Sequence, residues 1–154
     1  MLKYPQIMKT NFVILIIALT TLLSCKNKGA SDSQDLVLRA NVEQLEPNAK
    51  EAVKMWDGYL ALEKTIILIS NTNALNAVDL RSNLAISCNS MSQNIPENLE
   101  LPEIKSQVDK VNEEVKEFYI EVNRDETREA VVQNHLKTIY RAFDTLNKEI
   151  NHIM

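Results

Sequence analysis

The two histidines are the residues whose type and spacing come nearest to a metal site. Glu149 and His152 are separated by two residues, and bundle proteins use this Glu-x-x-His spacing to hold a pair of metal ions. Such a centre needs a second motif of the same kind and two further inward-facing glutamates, which the sequence does not supply. Because Ile150 and Ile153 take the apolar positions around it, we expect His152 to face solvent and to bind no metal.

A haem ligated across a bundle would need a methionine from the first long helix and a histidine from the last. Met55 and His135 are the candidates by type. At a rise of ~1.5 Å per residue they lie at heights that differ by roughly 9 Å, and no Cys-x-x-Cys-His sequence offers covalent attachment. We therefore expect Met55 to fill the core, His135 to lie at its boundary, and the protein to hold no cofactor.

The sequence shows no arrangement typical of catalysis. It contains neither a glycine-rich phosphate loop nor a nucleophile elbow. The carboxylates of the third predicted helix alternate with Lys110 and Lys116, as on a solvated helix face; they are Asp109, Glu113, Glu114, Glu117 and Glu121. The sequence therefore predicts a protein that is not an enzyme, with no catalytic residues.

Cys25 has the most specific chemical context of any side chain. It follows an apolar run over residues 12–23 that Lys3 and Lys9 precede. That run is too short to cross a hydrocarbon core of ~30 Å as a helix, so it predicts a cleavable secretory signal. The run ends in Leu22, Leu23, Ser24 and Cys25. The alternative to a special role for Cys25 is an ordinary signal with a chance cysteine.

This ending resembles the lipobox of bacterial lipoproteins, which signal peptidase II cleaves. The resemblance implies that residues 1–24 are removed, that the Cys25 thiol is diacylated, and that the new amino terminus is acylated as well. It places the chain on the cell membrane or the outer membrane, facing the periplasm or the cell surface. The Asn-, Lys- and Ile-rich composition is similar to that of Bacteroidota envelope proteins. Their export signal often puts acids after the cysteine, whereas Lys26 and Lys28 stand here, so the leaflet stays open.

Charge and cysteine content limit the partners further. Residues 1–24 carry two lysines and no acid, so 15 basic and 21 acidic side chains remain, a net charge of −6. A mildly acidic domain without a basic stripe predicts no binding to nucleic acid. With Cys25 lipidated, Cys88 has no partner within the chain. Since it falls on an apolar helix face, we expect a buried, inert thiol, the alternative being a redox or intermolecular site.

We expect residues 25–34 to be the lipidated cysteine and a polar, flexible tether, and residues 35–154 to form the folded domain. Downstream of the tether only Gly58 and three prolines interrupt the chain, which favours an all-α fold. Apolar residues recur at spacings of three and four, most weakly in the second segment, and the polar segments between them separate four helices. The predicted architecture is an up-and-down four-helix bundle with a left-handed twist. The four apolar stripes are Ala52, Met55, Tyr59, Leu62, Ile66 and Ile69; Ala77, Leu80, Leu84, Cys88, Met91 and Ile95; Ile104, Val108, Val111, Val115, Phe118 and Val122; and Val132, Leu136, Ile139, Phe143, Leu146, Ile150 and Ile153.

The first helix has a second apolar stripe, formed by Val53, Trp56, Leu60 and Ile67. This wide face requires a cover. The amphipathic stretch before Pro47 can form a short extra N-terminal helix that folds over it; its apolar residues are Leu36, Val37, Leu38, Val42 and Leu45. The alternative is a surface that binds a protein partner or a second copy.

Two functions remain open. The first is a lipid-anchored, non-enzymatic helical bundle of the cell envelope that acts as an interaction or structural module, with an envelope protein as partner. The alternative is a carrier of a small ligand or a metal in the periplasm. It would use the bundle interior, around Trp56, Tyr59, Tyr140 and Phe143.

Overall fold

The computed structural model describes residues 42–124 and 127–154, and within these ranges all regular secondary structure is helical. The all-α class predicted from the sequence is therefore confirmed. The leader, Cys25, the tether and Leu36 to Leu38 lie outside the described residues. The helices are α1 (Pro47–Val53), α2 (Asp57–Ser70), α3 (Ala74–Ala77), α4 (Arg81–Gln93), α5 (Pro102–Val122) and α6 (Glu129–Ile153), with 3-10 turns at Val78–Leu80 and Glu97–Leu99. None of the helices found here combines the length and the apolarity that crossing a membrane requires.

The long helices pack side by side in chain order. Helix α2 lies along α4, α4 along α5, and α5 along α6, while α1 and α3 add contacts to α6. The apolar stripe of α5 is buried over its whole length, and that of α6 is buried up to Ile150, with Ile153 half-buried. Of the second stripe, Ala77, Leu84, Cys88 and Met91 are buried, and Leu80 and Ile95 are half-buried against the core. The stripes predicted for these three segments therefore form the core.

Two of the helices begin at residues that favour a helix start. Asn73 caps α3, where its side-chain oxygen accepts the N–H of Asn76 at 2.9 Å. Pro102 occupies the first turn of α5. Its lack of an N–H costs no hydrogen bond there, because the N–H groups of the first turn have no acceptor within the helix. These local signals fix where the helices begin.

The first predicted helix is interrupted, contrary to expectation. Helix α1 ends at Val53 and α2 begins at Asp57, with a hydrogen bond of 2.8 Å from the Trp56 N–H to the Val53 carbonyl in between. The turn carries Trp56 into the core at 0% exposure and leaves Met55 79% exposed. The prediction that Met55 fills the core is therefore wrong. Burial of the large indole offsets the loss of helical continuity, since its Nε1–H donates to the Met91 carbonyl at 2.9 Å.

The second apolar stripe of the first segment also divides at this break. Val53 and Trp56 are buried, whereas Leu60 and Ile67 are 37% and 54% exposed. The part before Asp57 thus belongs to the core, and the part on α2 is a surface.

Gly58 allows α2 and α4 to approach closely. A Cβ atom at this position would overlap the main chain of Ser90 and Met91. The two backbones are therefore nearly in contact where Trp56 enters the core, and only glycine fits the crossing.

Candidate binding site

Residues 42–46 form an extended segment along α6, which we call the strap. Leu45 is buried and Val42 is half-buried against the core, while Glu43, Gln44 and Glu46 are exposed. Pro47 disfavours helical backbone in the residue before it, and Glu46 is extended with φ −69° and ψ 163°. The expected helix is therefore wrong for residues 42–45, and the described part of this stretch covers the core as an extended chain.

Three polar side chains of α6 hold the strap, and we call them the strap seat: Asp144, Asn147 and Asn151. The Asp144 Oδ1 accepts the Glu43 N–H at 2.7 Å, and the Asn147 Nδ2 donates to the Glu43 carbonyl at 2.7 Å. The Asn151 side chain donates to the Gln44 carbonyl at 3.0 Å and accepts the Glu46 N–H at 2.8 Å. All of these bonds engage the main chain of the strap, as strand pairing does in a sheet.

The carboxylate of Asp144 is held by a second contact. Its Oδ2 forms an ion pair of 2.7 Å with the Lys148 Nζ one turn further along α6, while Oδ1 accepts from the strap. This hydrogen bond and the charge of Asp144 raise the pKa of Lys148. The pairing orients Asp144 towards the strap.

Asn147 connects the strap to the aromatic core. The Tyr59 hydroxyl donates to the Asn147 Oδ1 at 2.8 Å, and both side chains are buried. Tyr59 stacks on Trp56 and on Phe143, with ring centroids 5.5 Å and 5.3 Å away. Burial, and then the charge of Glu63, raise the pKa of Tyr59, while the hydrogen bond to Asn147 lowers it. The phenol therefore stays protonated and serves as a hydrogen-bond donor.

A cleft of about 80 Å³ separates the strap from α2. Its apolar wall includes Val42, Ile66, Ile67 and Phe143, and Glu63 lies on its rim. Burial raises the pKa of Glu63, and the charge of Lys50 partly opposes this. The strap thus leaves unfilled a space beside its first residue that both apolar and polar side chains line.

The metal-site and haem candidates do not come together. His152 is exposed, as predicted, and His135 is half-buried on α6, while Met55 faces solvent. In residues 42–124 and 127–154, no three or more His, Cys, Asp or Glu side chains are grouped so as to hold a metal. On α5, Asp109, Glu113 and Glu117 are exposed and Glu114 and Glu121 are half-exposed, which agrees with a solvated face.

Cys88 is fully buried on α4, as predicted. Burial raises the pKa of its thiol to about 12. A thiol that is neither ionised nor accessible does not react readily, so the folded domain does not present Cys88 to an oxidant.

The aromatic side chains of the alternative ligand site fill the interior themselves. Trp56, Tyr59 and Phe143 stack on one another and are at most 1% exposed. Tyr140 is buried as well, and its hydroxyl has no hydrogen-bond partner within the described chain. Of these four side chains, Phe143 borders the cleft at the strap.

The strap seat was missed by the reasoning from sequence. Its residues are spaced by three and four, one step around α6 from the apolar stripe, so a polar strip parallel to the core was visible in the pattern. The pattern did not show that these side chains bind the strap, because an extended five-residue segment before a proline has no periodicity. Comparison of the chain with protein-family models, with curated proteins and with solved structures gave no match.

Proposed function

We propose that this chain is a lipid-anchored, non-enzymatic helical bundle of the bacterial cell envelope that acts as an interaction or structural module. The observation that carries this proposal is the sequence Leu22, Leu23, Ser24 and Cys25 at the end of a short apolar run. Two acyl chains on one cysteine give lasting membrane attachment, since each buried methylene stabilises it by roughly 0.8 kcal/mol. We place the anchor on the cell membrane or the outer membrane.

The geometry of the described residues supports an interaction role. The strap is the first described segment of the chain after Cys25, and the strap seat holds it on α6. Helix α2 presents Leu60, Ile67 and Leu68 to solvent, each at least 37% exposed. Exposed apolar groups on one helix favour a protein partner.

We also propose that α2, α4, α5 and α6 form an up-and-down four-helix bundle with a left-handed twist. Packing in chain order supports it, as does the short connection over residues 71–73 between α2 and α3. Short connections make consecutive helices antiparallel neighbours.

The anchor is tested by palmitate labelling and membrane fractionation of Cys25→Ser. We expect labelling to disappear and the protein to leave the membrane fraction. Cys88→Ser is the matched control, because it removes the other thiol and should keep both properties. A Cys25→Ser chain that still fractionates with membranes would contradict the anchor.

The interaction role is tested by crosslinking in cells followed by mass spectrometry. We expect an envelope protein to be recovered with the wild-type chain, and recovery of none would count against the proposal. Native mass spectrometry of protein purified without chelator addresses the alternative. A stoichiometric small ligand or metal would make the carrier function the better one.

A further inference from the structure

The strap seat recognises main-chain groups of the strap. Asp144, Asn147 and Asn151 bind N–H and C=O groups of residues 43, 44 and 46. The side chains of Glu43, Gln44 and Glu46 are exposed. Because every extended peptide offers such main-chain groups, the polar contacts of the seat do not depend on which polar residues the strap carries.

Selectivity arises at two positions of the strap, three residues apart. Leu45 is buried in the core, and Val42 packs against it at the edge of the cleft. The seat thus fits an extended segment with an apolar first and fourth residue. In the strap, Pro47 follows and keeps the preceding backbone extended.

The strap does not fill the site that it occupies. The cleft of about 80 Å³ beside Val42 is bordered by Ile66, Ile67 and Phe143. A side chain larger than valine at this position would bury more apolar surface, which strengthens binding. A peptide with leucine in the first position therefore has room to place one more methylene group against Ile66, Ile67 and Phe143.

We propose that the strap seat is a peptide-binding site for an extended segment of a partner protein, and that the strap is its intramolecular competitor. The segment has an apolar residue larger than valine at the first position, an apolar residue at the fourth, and free main-chain N–H groups at the second and fifth. This inference rests on the proposed function as an interaction module and names the recognition chemistry.

The test uses the chain with Cys25→Ser, labelled with ¹⁵N, and a synthetic peptide of residues 41–48. The amide signals of Glu43 and Glu46 report whether the strap is seated. Since a tethered strap competes at millimolar effective concentration, the protein is also prepared with Leu45→Ala. We expect the peptide to displace the strap at a concentration at least about tenfold lower in the Leu45→Ala chain, because burial of the leucine is lost.

Two peptide variants test the recognition chemistry. The peptide with Val42→Leu should half-displace the strap at about fourfold lower concentration than the native peptide, as expected for one more buried methylene. A peptide methylated on the main-chain nitrogens of Glu43 and Glu46 keeps its side chains and should not bind. In the protein, Asn151→Ala removes the contacts to the Gln44 carbonyl and the Glu46 N–H, so the Glu46 amide signal should move to that of an unseated strap, while Asn134→Ala, at an exposed position of the same helix, should leave it unchanged.

Failure of every peptide to displace the Leu45→Ala strap would overturn the inference, as would equal displacement by the methylated peptide. A dimer that forms without peptide and shifts the strap signals would also overturn it, since the occupant would then be a second copy. None of these results bears on palmitate labelling or fractionation, which depend on Cys25. The inference and the proposed anchor therefore fail separately.

Discussion

At the scale of single residues, the Asn147 amide makes the two contacts that join the strap to the core. It accepts from Tyr59 and donates to the Glu43 carbonyl. We predict that Asn147→Ala lowers the free energy of unfolding by about 2–3 kcal/mol, because a buried phenol is left without its acceptor. Urea unfolding followed by Trp56 fluorescence measures this.

A double-mutant cycle separates the Tyr59 contact from the strap contact. We expect Tyr59→Phe alone to cost about 1–2 kcal/mol, and the double variant to cost less than the sum of the two single changes. Strict additivity would show that the hydrogen bond between Tyr59 and Asn147 contributes nothing to stability.

Glu63 is predicted to make stability depend on pH. Burial raises its folded-state pKa above the ordinary value of 4.5, so the ionised carboxylate destabilises the fold above the raised pKa. This penalty disappears as the pH falls through the raised value towards 4.5. Glu63→Gln should therefore stabilise the domain at neutral pH and not in acid. The gain should stay below ~1 kcal/mol, because the half-exposed group is screened by water.

The test is urea unfolding of Glu63→Gln and of the parent chain. It is done first at neutral pH and then at a pH below the ordinary pKa of glutamate. Glu117→Gln on the exposed face of α5 is the control and should change neither measurement. Destabilisation by Glu63→Gln at neutral pH would mean that attraction to Lys50 outweighs burial.

At the scale of elements, the crossing of α2 and α4 depends on Gly58. A methyl group there would overlap the main chain of Met91, so Gly58→Ala should push the helices apart. We expect a loss of about 2–3 kcal/mol, although alanine is the better helix former. Thermal unfolding measures it against Ala61→Ser, an exposed change on the same helix. A stabilised Gly58→Ala chain would show that the crossing is not tight.

Helices α5 and α6 could be predicted because each buries one continuous stripe. Their periodicity is set by the helix alone, and every residue from Ile104 to Val122 that was placed in the core is buried. The first segment could not be predicted in this way, since two overlapping stripes of apolar residues allow either a continuous or a broken helix. Tertiary packing decides between them, because the indole of Trp56 finds its hydrogen-bond acceptor only on α4.

At the scale of the whole molecule, the candidate site depends on residues that are about 100 positions apart. Glu43 and Asp144 meet at 2.7 Å across a separation of 101 residues. The sequence around Glu43 does not indicate a contact with Asp144, nor the sequence around Asp144 a contact with Glu43, and no known motif contains both. The core follows from helical periodicity, whereas the strap seat exists only once the bundle has formed.

Cys88 gives a probe of the cooperativity of the whole bundle. Its thiol is fully buried on α4, and burial raises its pKa to about 12. In the Cys25→Ser chain we predict that iodoacetamide modifies folded Cys88 at least ~100-fold more slowly than the urea-unfolded chain, because the thiolate is scarce and inaccessible. The rate should rise with urea in step with the change in Trp56 fluorescence, since both side chains lie in one core. Fast modification while Trp56 stays buried would instead show that Cys88 is exposed by a local opening of α4 that leaves the Trp56–Met91 contact in place.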